Sequence, residues 1–211
     1  MLIDNIIYPV ESLGPGKRVA LWTVGCERRC PGCSNPELWV PRGQQPVTPG
    51  AVAAAIGELA RENPVDGITI TGGEPFCQGE DLLELVTLLR RLTPDLLVFT
   101  GYRHEELLQQ PTAVAVLEQI AVLVDGAYEE ARNVGLPLRG SSNQRILLFE
   151  PGLWQRYHAY LSTTEKRVQN FYFEDTIISA GIHDLDFSQA LTARLREMHV
   201  RRKFHGDGEM A

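Results

Sequence analysis

Arg18 to Cys33 reads RVALWTVGCERRCPGC: seven residues rich in strand formers, a glycine, then cysteines at positions 26, 30 and 33. An apolar run of that length, stopped by Gly25, reads as a short buried strand followed by a loop. The loop holds three of the four cysteines of the chain, Cys26, Cys30 and Cys33, within eight positions, and Cys77 stands alone far downstream. A free cysteine packs as a small hydrophobe, but three crowded beside Gly25 and Pro31-Gly32 make a poor core. Closely spaced cysteines outside an oxidising compartment bind metal or do chemistry.

Outward from this stretch the pattern alternates between strand and helix. Thr48 to Glu62 predicts a helix, with Thr48 as its N-cap and Pro49 at its first position. Gly67 to Thr71 reads as a second strand, Asp81 to Leu92 as a leucine-rich helix, and Leu96 to Thr100 as a third strand. Helical stretches follow at Glu105 to Gln109 and Ala113 to Ile120, then strands at Ala121 to Val124 and Ile146 to Phe149. Strands separated by helices imply βαβ crossovers and a mostly parallel α/β sheet, with ligands beyond the carboxyl ends of its strands. The cysteine loop, Gly72-Gly73-Glu74-Pro75, Gly101-Tyr102 and Asp125-Gly126 all fall at such ends. Beyond Pro151 the pattern changes, to an aromatic helix over Leu153 to Leu161, a strand over Val168 to Phe173, and a helix over Phe187 to Met198. Residues 1–150 therefore read as a core, and residues 151–211 as a C-terminal α+β extension of the same domain.

The 211 residues are 44% hydrophobic and carry a net charge of −7, enough to bury one core without disulfides. The acidic balance argues against nucleic-acid binding, which needs clustered Lys and Arg. No apolar run is long enough to span a membrane, and MLIDNIIYPVES lacks the marks of a signal peptide, so a cytoplasmic setting is expected.

Three thiolates are one short of the four that saturate a cubane cluster or a structural zinc site. Either an open coordination position is used for chemistry, or a structural zinc is completed by Cys77 or a distant histidine. None of His104, His158, His183, His199 and His205 is near the loop in sequence. Gly72 and Gly73 at a strand end let a ligand approach the backbone, and Glu74 can accept from an ammonium group. Cys77 reads as a packed thiol, Trp22, Trp39 and Trp154 as packing or interface residues, His183 as polar surface within reach of the site, and Arg90-Arg91 and Arg201-Arg202-Lys203 as solvated.

With these residues in view, the sequence resembles the radical S-adenosylmethionine (SAM) enzymes. They carry a C-x-x-x-C-x-x-C loop after the first strand and a Gly-Gly-Glu-Pro type motif after the second. Among them it is most similar to the family that activates anaerobic ribonucleoside-triphosphate reductase. The matching pieces are Tyr8-Pro9-Val10, Gly14 to Arg18, Gly25-Cys26, Cys30-Pro31-Gly32-Cys33 with Asn35, Thr100-Gly101-Tyr102, Leu123 to Gly126 and Leu138 to Gln144. They cover roughly the first seven tenths of the chain. The resemblance implies a partial (β/α) barrel and a [4Fe–4S] cluster held by Cys26, Cys30 and Cys33, with SAM on the fourth iron. Reductive cleavage would give methionine and a 5′-deoxyadenosyl radical, which takes hydrogen from a backbone glycine of a large glycyl-radical enzyme. The electron would come from a flavodoxin-like or other low-potential donor. Gly72, Gly73 and Glu74 would line the methionine end of SAM, and Asp125 its ribose or methionine. Arg139, Ser141, Ser142 and Asn143 would offer polar groups, and Gly32 and Ser34 would face the adenine. Ala127 stands where some of these activases have lysine, and about sixty residues follow the last match. Another small radical SAM enzyme, acting on a small molecule or peptide, and a non-catalytic metal-binding module are the alternatives.

Overall fold

The structure is a computed structural model and describes residues 1–163, 168–173, 176–183, 187, 190 and 193. Its centre is a six-stranded sheet in sequence order: β1 (Ile3–Val10), β2 (Arg18–Thr23), β3 (Gly67–Gly72), β4 (Leu96–Phe99), β5 (Val122–Asp125) and β6 (Arg145–Leu148). Strands β2 to β5 run parallel, and an antiparallel strand lies at each edge. The mostly parallel α/β sheet expected from the sequence is present.

The described helices are α1 (Pro49–Glu62), α2 (Gly79–Leu89), α3 (His104–Leu107), α4 (Pro111–Leu117) and α5 (Trp154–Leu161). Helix α1 starts as its sequence predicts, with Thr48 Oγ1 accepting from the Ala51 amide at 3.2 Å and Pro49 at the first position. Asn63 ends it by donating its side-chain amide to the Leu59 carbonyl at 3.1 Å.

Period-two alternation separates the two faces of the sheet. Val19, Leu21, Ile68, Ile70, Leu96 and Val98 pack with Ile56 of α1, Leu82, Leu85, Val86 and Leu89 of α2, and Val116 of α4. Ala20, Trp22, Leu97, Val122 and Val124 serve the other face, where Leu13, Leu138, Tyr157, Tyr160 and Ala180 cover them. Each fully buried Leu or Ile contributes about 1.5–3 kcal/mol, against about 1 kcal/mol for a helix cap, so the two-sided core sets the fold. No helix among the described residues is long and apolar enough to cross a membrane.

Two strands were not expected. The sequence reading places none before Arg18, yet β1 pairs with β2, so the cysteine loop follows the second strand rather than the first. As a half-exposed edge strand with Pro9 near its end, β1 has a blurred alternation. The other is β8 (Thr176–Gly181), which forms an antiparallel hairpin with β7 (Val168–Phe173). The helix expected over Phe187 to Met198 and the basic end, with His199, Arg201-Arg202-Lys203 and His205, lie outside the continuously described stretches.

Candidate functional site

The carboxyl ends of β2 to β4, the loops after β5 and before β6, and residues 179–183 open onto one cleft. It encloses about 990 Å³ of space, part of it open to solvent. Cys26, Cys30 and Cys33 all line it, together with Ser34, Gly72, Gly73 and Glu74. The sequence separates the cysteines from Gly72 by about forty residues, and the parallel pairing of β2 with β3 brings them together.

The cysteine loop is held by its backbone. The Gly25 amide donates to the Leu38 carbonyl at 2.8 Å and the Cys26 amide to the Trp39 carbonyl at 3.0 Å. Left-handed residues at Gly25, Arg29 and Gly32 turn the chain. Burial pushes the Cys26 and Cys33 thiols up, while amides oppose it, those of Arg28 and Arg29 at Cys26 and that of Asn35 at Cys33. The Asn35 amide lies 3.4 Å from Cys33 Sγ. Amide donors aimed at sulfur favour the thiolate, the form that binds iron.

The two glycines have a tighter reason than ligand approach. A Cβ on Gly72 would collide with the Thr23 backbone, and one on Gly73 with the Gly25 carbonyl. The Gly73 amide donates to the Thr23 carbonyl at 2.8 Å and the Glu74 amide to the Gly25 carbonyl at 2.7 Å, locking the motif to the start of the cysteine loop. Glu74 is almost wholly buried, and its carboxylate accepts from Thr100 Oγ1 at 2.8 Å, the Gly101 amide at 2.7 Å and the Phe76 amide at 3.1 Å. Burial still raises its pKa to about 7. A cationic ligand group in the cleft would bring it back down.

The other candidates are not on the cleft wall. Asp125 is fully buried beneath Arg145 and accepts from the His104 amide at 2.8 Å, and its neighbour Gly126 is the residue that reaches the cleft. In the loop before β6, Gly140 and Gln144 line the cleft rather than Arg139, Ser141, Ser142 and Asn143. Ser141 Oγ accepts from the Glu129 amide, the Ser142 amide donates to the Arg132 carbonyl, and Asn143 Nδ2 donates to the Ala127 carbonyl. Gly32 sits against Glu130.

Several wall residues were not read as site residues. Arg28 pairs with Glu106 at 2.9 Å and lies 4.0 Å from the centroid of the Tyr102 ring. Trp22 and Trp39, read as packing or interface residues, and His183, read as polar surface within reach of the site, also line the cleft, as does Tyr128. Cys77 is exposed rather than packed and lies off the wall, its thiol accepting from the Glu27 amide. Arg90, read as solvated, donates to the Pro94 carbonyl at 2.8 Å and pairs with Glu150 at 3.1 Å.

These residues fit an iron–sulfur cluster with a polar ligand beside it. Among the described residues no three His, Cys, Asp or Glu surround a single metal ion. The three cysteines instead stand around a shared cleft, as thiolates binding different irons of one cubane would. Arg28, which lines the cleft, has a buried Nε with no hydrogen-bond partner. Cys77→Ser is expected to leave the iron content of the anaerobically reconstituted protein unchanged. Loss of iron in that variant would make Cys77 a fourth ligand.

The model of the 4Fe-4S single cluster domain matches residues 12–147. The anaerobic ribonucleoside-triphosphate reductase-activating protein of Enterobacteria phage T4 is 33% identical over 154 residues, covering 71% of this chain and 96% of that protein. Its namesake in Escherichia coli K12 is 37% identical over 146 residues, 66% of this chain and 94% of that protein. A pyruvate formate-lyase-activating enzyme of Staphylococcus aureus is 33% identical over 98 residues, 42% of this chain and 38% of that enzyme. With its three cysteines gathered at one cleft inside the matched region, the chain belongs to the 4Fe-4S single cluster domain family, alongside the anaerobic ribonucleoside-triphosphate reductase-activating proteins.

Proposed function

We propose that this chain is a radical SAM activating enzyme that generates a glycyl radical on a large partner such as anaerobic ribonucleoside-triphosphate reductase. The observation that carries this reading is the meeting of Cys26, Cys30 and Cys33 with Gly72, Gly73 and Glu74 on one cleft. A bound [4Fe–4S] cluster and SAM would supply the electron transfer and the hydrogen-abstracting species. The protein's part is to hold and orient both. Cys26, Cys30 and Cys33 would hold the cluster. Glu74, buried and aimed by three donors, would take the amino group of SAM. Ser34 and Gly32 flank the last cysteine on the adenine side, and the strand-end loop carrying Asp125 supports the ribose side. The loop of Arg139, Ser141, Ser142 and Asn143 brings Gly140 and Gln144 to the cleft, where they would meet the polar parts of SAM.

The sheet supports the finer fold reading. Strands β2 to β5 follow one another in order, and α1, α2 and α4 pack on one face, which supports reading the sheet as a partial (β/α) barrel. That residues 151–211 extend the core 1–150 as one domain is supported by Tyr157 and Tyr160 of α5, which pack on the sheet face opposite α1 and α2. A flavodoxin-like or other low-potential donor in the cytoplasm would reduce the cluster, with no nucleic acid or membrane involved.

The test is anaerobic reconstitution followed by reduction with SAM and the reductase encoded in the same genome. The expected results are thiolate-to-iron absorbance near 400 nm (roughly, for Cys-ligated clusters), 5′-deoxyadenosine release, and a glycyl-radical resonance signal on the reductase. One equivalent of zinc with no such absorbance would sink the catalytic reading. SAM cleavage without a radical on the reductase would sink the partner.

A further inference from the structure

The hairpin β7–β8 lies outside residues 12–147, the stretch matched by the family model, yet it builds part of the cleft. The Escherichia coli relative is covered to 94% of its length by 66% of this chain, so this wall is an addition to the shared core. We infer that Ser179 to Ile182 form the substrate-side wall of the site, against which an extended, glycine-bearing backbone segment of the partner enzyme is seated. The inference rests on the proposed activating function and adds where the partner segment lies and what selects it.

The hairpin is anchored, not merely laid over the sheet. Gln169 Oε1 accepts from the Ser12 amide at 2.9 Å and also from the Glu11 amide. Ser12 Oγ donates to the Ala180 carbonyl at 2.8 Å, and Asn133 Nδ2 to the His183 carbonyl at 2.9 Å. Ala180 is buried in the cluster that contains Trp22, Leu13 and Val24, with Phe171 and Ile178 packed against it. A wall tied at both ends of its cleft-lining stretch holds its shape while a ligand enters.

The chemistry of the wall selects the ligand. Ser179 turns its hydroxyl to Asn170 across the hairpin and Ala180 packs into the core, so with Gly181 the wall offers main chain, and Ile182 adds an apolar side chain. No charge stands among them, so a phosphorylated or carboxylated small molecule finds no counter-ion there. Small side chains leave depth for a main chain, and Trp22 and Phe99 on the same cleft give it apolar surface. A bulky side chain on the incoming segment would strike the wall, which favours glycine. On β7, Tyr172 and Phe173 are 73% and 50% exposed, aromatic surface of the kind enriched at protein interfaces.

The test uses the cluster-loaded full chain with SAM and the reductase encoded in the same genome. Adding the reductase is expected to slow amide exchange over residues 177–183. Ile182→Ala, which removes the one large side chain of the wall, is expected to lower the glycyl radical formed per 5′-deoxyadenosine released by at least about tenfold, since a misplacement near 1 Å is enough to cost that much. Should Ile182→Ala fail to fold, the exchange measurement on the unaltered chain decides. A glycyl radical formed in normal yield while residues 177–183 exchange as fast with the reductase as without it would overturn the wall but leave the activase reading standing. A wild-type protein that cleaves SAM yet puts no radical on the reductase would overturn both.

Discussion

Cys30→Ala is expected to give a folded protein that holds no stable cluster, shows no absorbance near 400 nm (roughly the thiolate-to-iron region) and releases no 5′-deoxyadenosine above background. The reason lies in the ligand count. Cys26, Cys30 and Cys33 are the three cysteines that reach the cleft, and Cys77 is off its wall. With one thiolate gone, two would remain for a cluster proposed to be held by three. The fold should tolerate the change, because Cys30 is partly exposed and belongs to none of the apolar clusters. A surface substitution of this kind shifts stability by about 0.5 kcal/mol or less, so loss of activity will not be confused with unfolding. Unfolding midpoints with and without iron separate the two effects. Normal iron content and undiminished SAM cleavage in Cys30→Ala would refute the three-ligand assignment.

Local signals in the sequence carried the cluster ligands, and distant ones were lost. Cys26, Cys30 and Cys33 are readable because eight consecutive positions contain their whole pattern. Gly72-Gly73-Glu74 is readable as a motif, but its physical reason is not. The glycines are required by Thr23 and Gly25, which come alongside only once β2 and β3 pair. The core strands β2 to β5 could be found since burial on both faces makes them continuous apolar runs. The edge strand β1 could not, because exposure on one side and Pro9 break the pattern. Residues 179–183 were invisible as site residues for a different reason. Ser179, Ala180 and Gly181 have no chemistry of their own and matter only through where the hairpin places them. Arg28, in turn, reads as one more charge in an exposed loop until Tyr102 and Glu106 are seen to hold it against the cleft.

Asp95→Ala is expected to be the most destabilising single change outside the apolar core, costing about 3–5 kcal/mol, because it strands a buried guanidinium. Arg18 at the start of β2 is fully buried, and every hydrogen-bonding edge of it is engaged. Its Nε donates to Thr69 Oγ1 at 2.7 Å, Nη1 to Asp95 Oδ2 at 3.0 Å, and Nη2 to the Ile68 carbonyl at 2.9 Å and to Asp95 Oδ1 at 3.1 Å. The Tyr157 hydroxyl of α5 donates to the same Asp95 Oδ1 at 2.6 Å, and burial together with that carboxylate raises its pKa well above the usual phenol range. Removing the carboxylate therefore leaves Arg18 without its counter-charge and Tyr157 without its acceptor. Tyr157→Phe should cost less, about 1.5–3 kcal/mol, the worth of one hydrogen bond to a charged group. Arg156→Gln removes a partly exposed partner 3.7 Å from Asp95 and should cost no more than about 1 kcal/mol. Denaturant midpoints for the three variants check this order. Because Tyr157 stands on α5, beyond the matched region, a loss of global stability in Tyr157→Phe would tie residues 154–161 to the core as one cooperative unit. A midpoint for Asp95→Ala within error of wild type would show that the network carries none of the stability its burial implies.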